Sequence, residues 1–461
     1  MKILFINPSL RPESERRQLP VGLGYIMTAV SKAGFSFDLI DMDVNRLTMN
    51  DLKQLLQKTD FDICALGCIV TGFKFVRQIA NIVKDVKPDS IIIAGNSVAT
   101  SIPVLLLKNT LVDIAVLGEG DITIVEILKT LEVKQSLEEV QGIAYKSNNE
   151  ILFTQKRKII SNIDSIEFPD WNLFELDKYE KYSYVNSNCF SKKKIIAYPL
   201  NSARGCPFNC TFCYHVFKGE KYRRYSINAI IEEINRLHDL YNCDFVSFWD
   251  ELTFPTFKSI QDFLENIKKL KFQLSWAANV RGGLFNKKHV SMLRDLREYG
   301  CENLHFSLEN ASSEILSAMN KKMSVSQFVE QAIALHKSGI TPLTSVIFGY
   351  PQETTESIKK TLKICEECNM YPSVGYLLLQ PGTSIYDWAK SKGYIQNELE
   401  FLEKCGDRQD FTINLTKMSD EEFQGTVNEG LKELAKKMGL DLPSVLKTTK
   451  YKIPKKDFSI N

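Results

Sequence analysis

Residues 195–214 read IIAYPLNSARGCPFNCTFCY, a short apolar run followed at once by three cysteines. The apolar run has the length and composition of a buried strand. Gly205 and Pro207 put Cys206, Cys210 and Cys213 on a loop past the end of that strand and argue against a buried helix. Thiolates are soft ligands, and a short loop can aim all three at one iron-sulfur cube, leaving the fourth iron open for catalysis. Structural zinc is the alternative, with His215 completing a C-x3-C-x2-C-x-H set.

Downstream, strands are expected at 195–201, 244–249, 273–277, 303–308, 344–349 and 375–379, with helical patterns at 227–240, 256–270, 287–298, 325–337 and 355–368. That alternation suits an incomplete (β/α)6 barrel, whose chemistry lies on the loops after the strands. Upstream, strands at 2–6, 36–41, 62–66, 90–94 and 113–117 alternate with helices at 21–32, 73–86 and 122–131. This is the pattern of a doubly wound parallel sheet, with its ligand at the loops 7–24, 67–72, 95–100 and 118–121. Residues 142–145 and 151–154 read as a hairpin, and 163–180 as an irregular linker wrapped on the surface.

The expected fold is therefore α/β: a Rossmann-like domain over 1–138, hairpin and linker over 139–194, a partial barrel over 195–392 and a helical segment over 393–461. In the last, Ser419-Asp-Glu-Glu422 has capping-box spacing. Phe423, Val427, Leu431 and Leu434 follow at core-facing helical spacing, and the segment is expected to close the barrel mouth.

The 461 residues carry a net charge of +2, which makes no electrostatic case for nucleic acid. No apolar run approaches the ~20 residues of a membrane span. The opening MKILFINPS lacks a secretory signal, so the eleven cysteines are expected to be reduced or metal-bound in the cytoplasm.

C-x3-C-x-aromatic-C after a barrel strand resembles the signature of the radical S-adenosylmethionine (SAM) superfamily. The resemblance implies a [4Fe-4S] cluster on Cys206, Cys210 and Cys213, with SAM on the open iron and Phe212 beside its adenine. It also implies reductive cleavage of SAM to methionine and a 5′-deoxyadenosyl radical, fed by an external donor such as flavodoxin or ferredoxin. Tyr222-Arg-Arg-Tyr-Ser226 resembles the family's R-x-R-S stretch. Asp250 and Glu251, at the end of the second barrel strand, would bind the SAM amino group or cap the next helix. Arg281 would pair with the SAM carboxylate. Phe306-Ser-Leu-Glu-Asn310 resembles G-x-E-S-G-S, so Glu309 would face the ribose, though Ser307 and Asn310 depart from the pattern. Gly349-Tyr-Pro-Gln-Glu-Thr354 and Gln380-Pro-Gly-Thr383 are similar to the family's G-L-P-G-E-T and P-G-T turns.

The upstream domain resembles the cobalamin-binding domain of B12-dependent radical SAM proteins through Leu19-Pro-Val-Gly-Leu-Gly-Tyr25, Ala94-Gly-Asn-Ser-Val-Ala-Thr100 and Leu117-Gly-Glu-Gly-Asp121. Gly22, Gly72, Gly95, Ser97, Gly118, Glu119 and Gly120 are the corrin-loop candidates, because a flat corrin needs backbone and small side chains at the strand ends. There is no D-x-H-x-x-G, Val98 replaces a frequent histidine, and none of the five histidines precedes His215. Cobalamin would thus bind base-off without histidine. The family reaction implied is methylation of an unactivated carbon of a small-molecule, natural-product or lipid-type substrate. The alternatives are a radical SAM cyclase, isomerase or oxidase whose corrinoid domain transfers no methyl, and a non-catalytic corrinoid-binding module with a zinc-stabilised barrel. Cys64 and Cys68 are expected to be packing thiols; a methylthiotransferase would need a third upstream cysteine, which the loop 7–12 lacks. Cys365 and Cys368 share a helix pattern, while Cys189, just ahead of the barrel, and Cys405, in the tail, are within reach of the active-site mouth by position alone, with no physical reason that assigns either a role.

Overall fold

The computed structural model describes residues 1–12, 14, 17–148, 150–180, 195–406, 410 and 412–440. These fall into two units. One joins the N-terminal part to residues 215–226 and 397–405, and the other holds residues 195–214, 227–396 and the described residues from 406 onward. Cys189 lies outside the described residues. No described helix is long and apolar enough to cross a membrane.

In the first unit β1 (Ile3–Asn7), β2 (Phe37–Asp41), β3 (Ile63–Gly67), β4 (Ile91–Gly95) and β5 (Ile114–Val116) pair in parallel. β6 (Ile143–Ser147) and β7 (Glu150–Phe153) add to the edge antiparallel, giving the order β2-β1-β3-β4-β5-β6-β7. The expected hairpin is thus the last pair of strands in this sheet. Helices Val21–Lys32 and Phe73–Val86 lie where periodicity puts them. Helices Met49–Leu56, Asn96–Ser101 and Pro103–Asn109 were not foreseen. They are short, and the first is fixed by a Thr48–Asp51 capping box rather than by a long apolar stripe.

The expected surface linker is corrected. Trp171 is fully buried, and an added Cβ on Gly24 would lie 3.0 Å from Pro169 and 3.1 Å from the Trp171 ring. The Tyr179 hydroxyl donates to the buried carboxylate of Asp41. The segment is a clasp whose aromatic residues need the absence of a side chain on helix Val21–Lys32.

In the second unit β8 (Ala197–Leu200), β9 (Phe245–Phe248), β10 (Ser275–Asn279), β11 (Cys301–His305) and β12 (Thr341–Leu343) form a parallel sheet. β13 (Ser345–Phe348) and β14 (Ser373–Tyr376) form a separate parallel pair. The fifth barrel strand is therefore broken at Thr344, whose hydroxyl accepts the Leu308 N–H at 3.1 Å. Outside β9 and β10, Phe248, Phe263 and Trp276 meet edge-to-face, the last two at 5.1 Å between centroids.

Helix Asp420–Lys437 buries Phe423, Val427, Leu431 and Leu434 and packs along helix Thr355–Glu367. It adds to the helical layer, and residues 441–461 of the segment expected to close the mouth lie outside the described residues. Only half of its expected capping box forms: Ser419 accepts the Glu422 N–H, while the Thr355 hydroxyl donates to the Glu422 carboxylate. Cys405, to which the sequence assigns no role, is buried in the first unit.

The turn after β13 is structural. Glu353 accepts from Asn310 Nδ2 at 3.2 and 3.1 Å, from Gly349 N–H at 3.3 Å and from the Ser357 hydroxyl. Asn310, one of the two departures from the family's pattern, is thereby the partner of a buried acid. Burial pushes the Glu353 carboxyl up to about 7, from 4.5. The folded chain holds a proton that the unfolded chain releases between these values. The contribution to stability is full below about 4.5 and is lost as pH rises towards 7, up to roughly 3 kcal/mol. Urea melts of E353Q against the parent should lack that component of the pH slope. W171A should cost about 3–5 kcal/mol in the same assay, because its ring has no other place to pack.

Candidate active site

Three strand ends set the start of the cysteine loop. Asp250, 3% exposed, follows β9 and accepts from Ser202 N–H at 2.7 Å, Ser202 Oγ–H at 2.7 Å and Ala203 N–H at 2.9 Å. Asn201 Nδ2 donates to the Trp249 carbonyl at 2.8 Å, and Asn279 Nδ2 to the Asp250 carbonyl at 2.9 Å. The expected contact of Asp250 with the SAM amino group is corrected, since its carboxylate is buried and committed to the loop. Burial raises its carboxyl to about 6, against the opposing hydrogen bonds. Glu251, beside it, is exposed and remains the carboxylate available to a ligand.

Beyond Gly205, whose φ of +87° only a residue without a Cβ adopts readily, the loop carries its thiols outward. Cys206 and Cys210 are half-buried and Cys213 is exposed, whereas every other described cysteine is buried. Burial pushes the Cys206 and Cys210 thiols up, and the charges of Arg281 and Lys321 act against it. Among the described residues no three His, Cys, Asp or Glu side chains converge as the ligands of one ion would. Three soft thiolate donors on one short loop are the donor chemistry that a [4Fe-4S] cluster takes. Phe212 is half-buried on the same loop.

Two cations flank the loop. The Arg281 guanidinium stacks 3.4 Å from the centroid of Phe208, and its Nη2 donates to the Lys322 carbonyl. Lys321 pairs with Glu309 at 2.8 Å, both side chains nearly buried. Glu309 has φ +61°, a rare conformation for a residue with a Cβ, held by backbone bonds to Ser345 at 3.1 Å and from Ile347 at 2.8 Å. The sequence reading missed Lys321; its only signal was a pair of lysines on the loop after the expected Glu309. It also missed Asn279, which ties β10 to the loop.

The rim of the first unit divides the corrin-loop candidates. Gly22, Gly95 and Gly118 have nothing within 4 Å of where a Cβ would stand, so their backbones face open space, as a flat ligand requires. The others are corrected to packing roles. A Cβ on Gly72 would lie 2.2 Å from the Cys68 sulfur, and one on Gly120 would lie 2.8 Å from Ile26. Ser97 is buried and accepts the Val70 N–H at 2.8 Å. Glu119 turns inward to Arg223 at 2.8 Å, in an ion pair whose side chains are 3% and 6% exposed. Its other oxygen accepts the Ile160 N–H at 2.8 Å. Arg223, quoted in the R-x-R-S stretch but given no role there, is thus the partner of Glu119. Cys64 and Cys68 are buried, and burial raises both thiols to about 12. Burial likewise raises Cys365 to about 12 and Cys368 to about 11.

Residues 200–365 match the family model of the Radical SAM superfamily, and residues 13–128 that of the B12 binding domain. An uncharacterized methyltransferase of Pyrococcus horikoshii is 28% identical over 399 residues, covering 84% of this chain and 83% of that protein. The anaerobic magnesium-protoporphyrin IX monomethyl ester cyclase of Cereibacter sphaeroides is 25% identical over 79% of this chain, which spans 59% of the cyclase. Among solved structures, the radical SAM methyltransferase TsrM of Kitasatospora setae shares the fold at TM-score 0.68 and 14% identity, over 86% of this chain and 77% of its own. The cobalamin-dependent SAM radical enzyme OxsB does so at 0.66 and 18%, over 96% of this chain and 62% of its own. The chain thus joins a B12-binding domain at residues 13–128 to a radical SAM domain at residues 200–365, a combination whose cofactors are a [4Fe-4S] cluster, SAM and cobalamin.

Proposed function

We propose that the protein is a cobalamin-dependent radical SAM methyltransferase acting on an unactivated carbon of a small molecule. The observation that carries this reading is that one chain holds both a strand-end loop with three thiols that are not fully buried and, on the upstream sheet, a rim of glycines with open space beside them. Cys206, Cys210 and Cys213 would hold the cluster. Arg281 and Lys321 offer cations to the carboxylate of SAM, Glu251 offers an exposed carboxylate to its amino group, and Phe212 a ring to its adenine. Glu309, with one oxygen engaged by Lys321, is the candidate for the ribose. Gly22, Gly95 and Gly118 offer backbone to a corrin, without histidine ligation. When bound, these cofactors supply a substrate radical and a methyl donor. The residues described here bind and orient them. We assign the electron to an external flavodoxin- or ferredoxin-type donor and the protein to a reducing cytoplasm.

The second reading, a radical cyclase that transfers no methyl, is supported by the likeness to the magnesium-protoporphyrin ester cyclases. Methyl-labelled SAM separates the two, since a cyclisation leaves no label in the product.

Protein reconstituted with iron and sulfide, then given SAM and dithionite anaerobically, should release 5′-deoxyadenosine. C206A, C210A and C213A should each abolish that release and the cluster absorbance; release undiminished in all three would refute the assignment. Desalting after hydroxocobalamin should leave corrinoid absorbance on the protein. Because the Cys206 and Cys210 thiols are raised and iron takes thiolates, cluster uptake should quicken as the pH is raised above neutral. Uptake independent of pH would contradict that view of the loop.

A further inference from the structure

Between two of the three cysteines stands Thr211, a residue that neither the sequence motifs nor the proposed function assigns. Every polar group it has is used. Its N–H donates to the Met319 carbonyl at 3.0 Å, and its hydroxyl to the Ala318 carbonyl at 2.9 Å. These are end carbonyls of helix Ser313–Ala318 and its cap, which have no partner further along the helix. Its own carbonyl accepts the Ile385 N–H at 3.1 Å, on the first turn of helix Ser384–Ser391.

The Tyr350 hydroxyl lies 2.8 Å from Thr211 Oγ1. The threonine's one hydroxyl proton is committed to Ala318, because a carbonyl cannot donate. Tyr350 must therefore be the donor in the second bond. Tyr350 is 1% exposed, and Thr211 is the partner its phenol finds there. Asn320, at φ +53° just past the helix, adds a bond from Nδ2 to the Asn209 carbonyl at 2.7 Å. The next residue is Lys321, the partner of Glu309.

We infer that Thr211 is a positioning residue: its hydroxyl, held between the Tyr350 phenol and the Ala318 carbonyl, fixes the Cys210–Cys213 half of the loop to the helix end that leads into Lys321. This rests on the reading that the three cysteines hold the cluster. The role is not simply structural support, because the hydroxyl carries no load in the hydrophobic core; it sets where two ligands stand relative to a cation. It also gives the Gly349–Thr354 turn a task beyond capping, since that turn carries Tyr350.

The test uses the full chain reconstituted with iron and sulfide. T211V keeps shape and removes the hydroxyl, Y350F removes the donor, and T211S restores the hydroxyl without the methyl. T211V should lose iron to EDTA about tenfold faster than the parent and show an altered electron paramagnetic resonance signal of the reduced cluster, with circular dichroism unchanged. Y350F should move both readouts the same way by less, and T211S should return them to the parent's values. Parent-like retention and spectrum in T211V would overturn the inference while leaving the cluster assignment intact. So would a T211S as leaky as T211V. A parent protein that takes up no cluster would overturn the reading beneath it.

Discussion

A buried carboxylate holds the cysteine loop in place. Asp250 is taken out of water, which alone disfavours its charge, and is compensated by two peptide N–H groups and a hydroxyl from Ser202 and Ala203. Those peptides are where β8 becomes loop. Without an acceptor they would be buried donors lacking partners, and the chain would have no reason to turn there. Asn201 and Asn279 bond to the backbone on either side of the same acid, so three neighbouring strand ends share one arrangement. Everything after it on the loop, the three thiols included, inherits that geometry.

The electrostatics of the site follow from the same economy. Anionic sulfur and a carboxylate-bearing ligand both call for positive charge, and the chain provides it in two different ways. Arg281 lies flat on Phe208, where a planar, weakly hydrated guanidinium is at home. Lys321 is paired with Glu309 at 2.8 Å in a nearly buried position. The strained backbone at Glu309 is held by the break in the fifth strand, because β13 begins beyond Thr344 and supplies the bonds that Glu309 uses. An irregular strand, which weakens a sheet, is here what orients an acid.

The doubly wound and barrel architectures were both legible in the sequence, because long apolar stripes and short apolar runs report burial directly. Helices Val21–Lys32 and Phe73–Val86 needed nothing else. Short helices such as Pro103–Asn109 were not legible, since one or two turns leave no periodicity to read. The cysteine loop was legible through its spacing. What its neighbours do was much less so: Asp250, Glu119 and Ser97 look like surface polar residues in a string of letters, and only the fold turns them inward. The linker was misread for the opposite reason. Trp171 and Tyr179 have no period to follow, yet they bury themselves in a gap left by Gly24 and against Asp41. Tertiary context decided those positions.

The two units interleave along the gene, and this bears on how the protein can be cut or shuffled. Residues 215–226 begin two positions after Cys213, yet they belong with the upstream sheet through the Glu119–Arg223 pair and the bond from Ser226 N–H to Asp164 at 2.7 Å. Residues 397–405 return to it as well, where Glu403 meets Arg77 at 3.1 Å. A fragment truncated before the cysteines would strand the Glu119 charge in a dry interior without its guanidinium, a loss on the order of 3–5 kcal/mol. The upstream module is therefore not a detachable cassette. Recombination at the linker would trade away its stability, so homologous exchange is expected to carry both halves together.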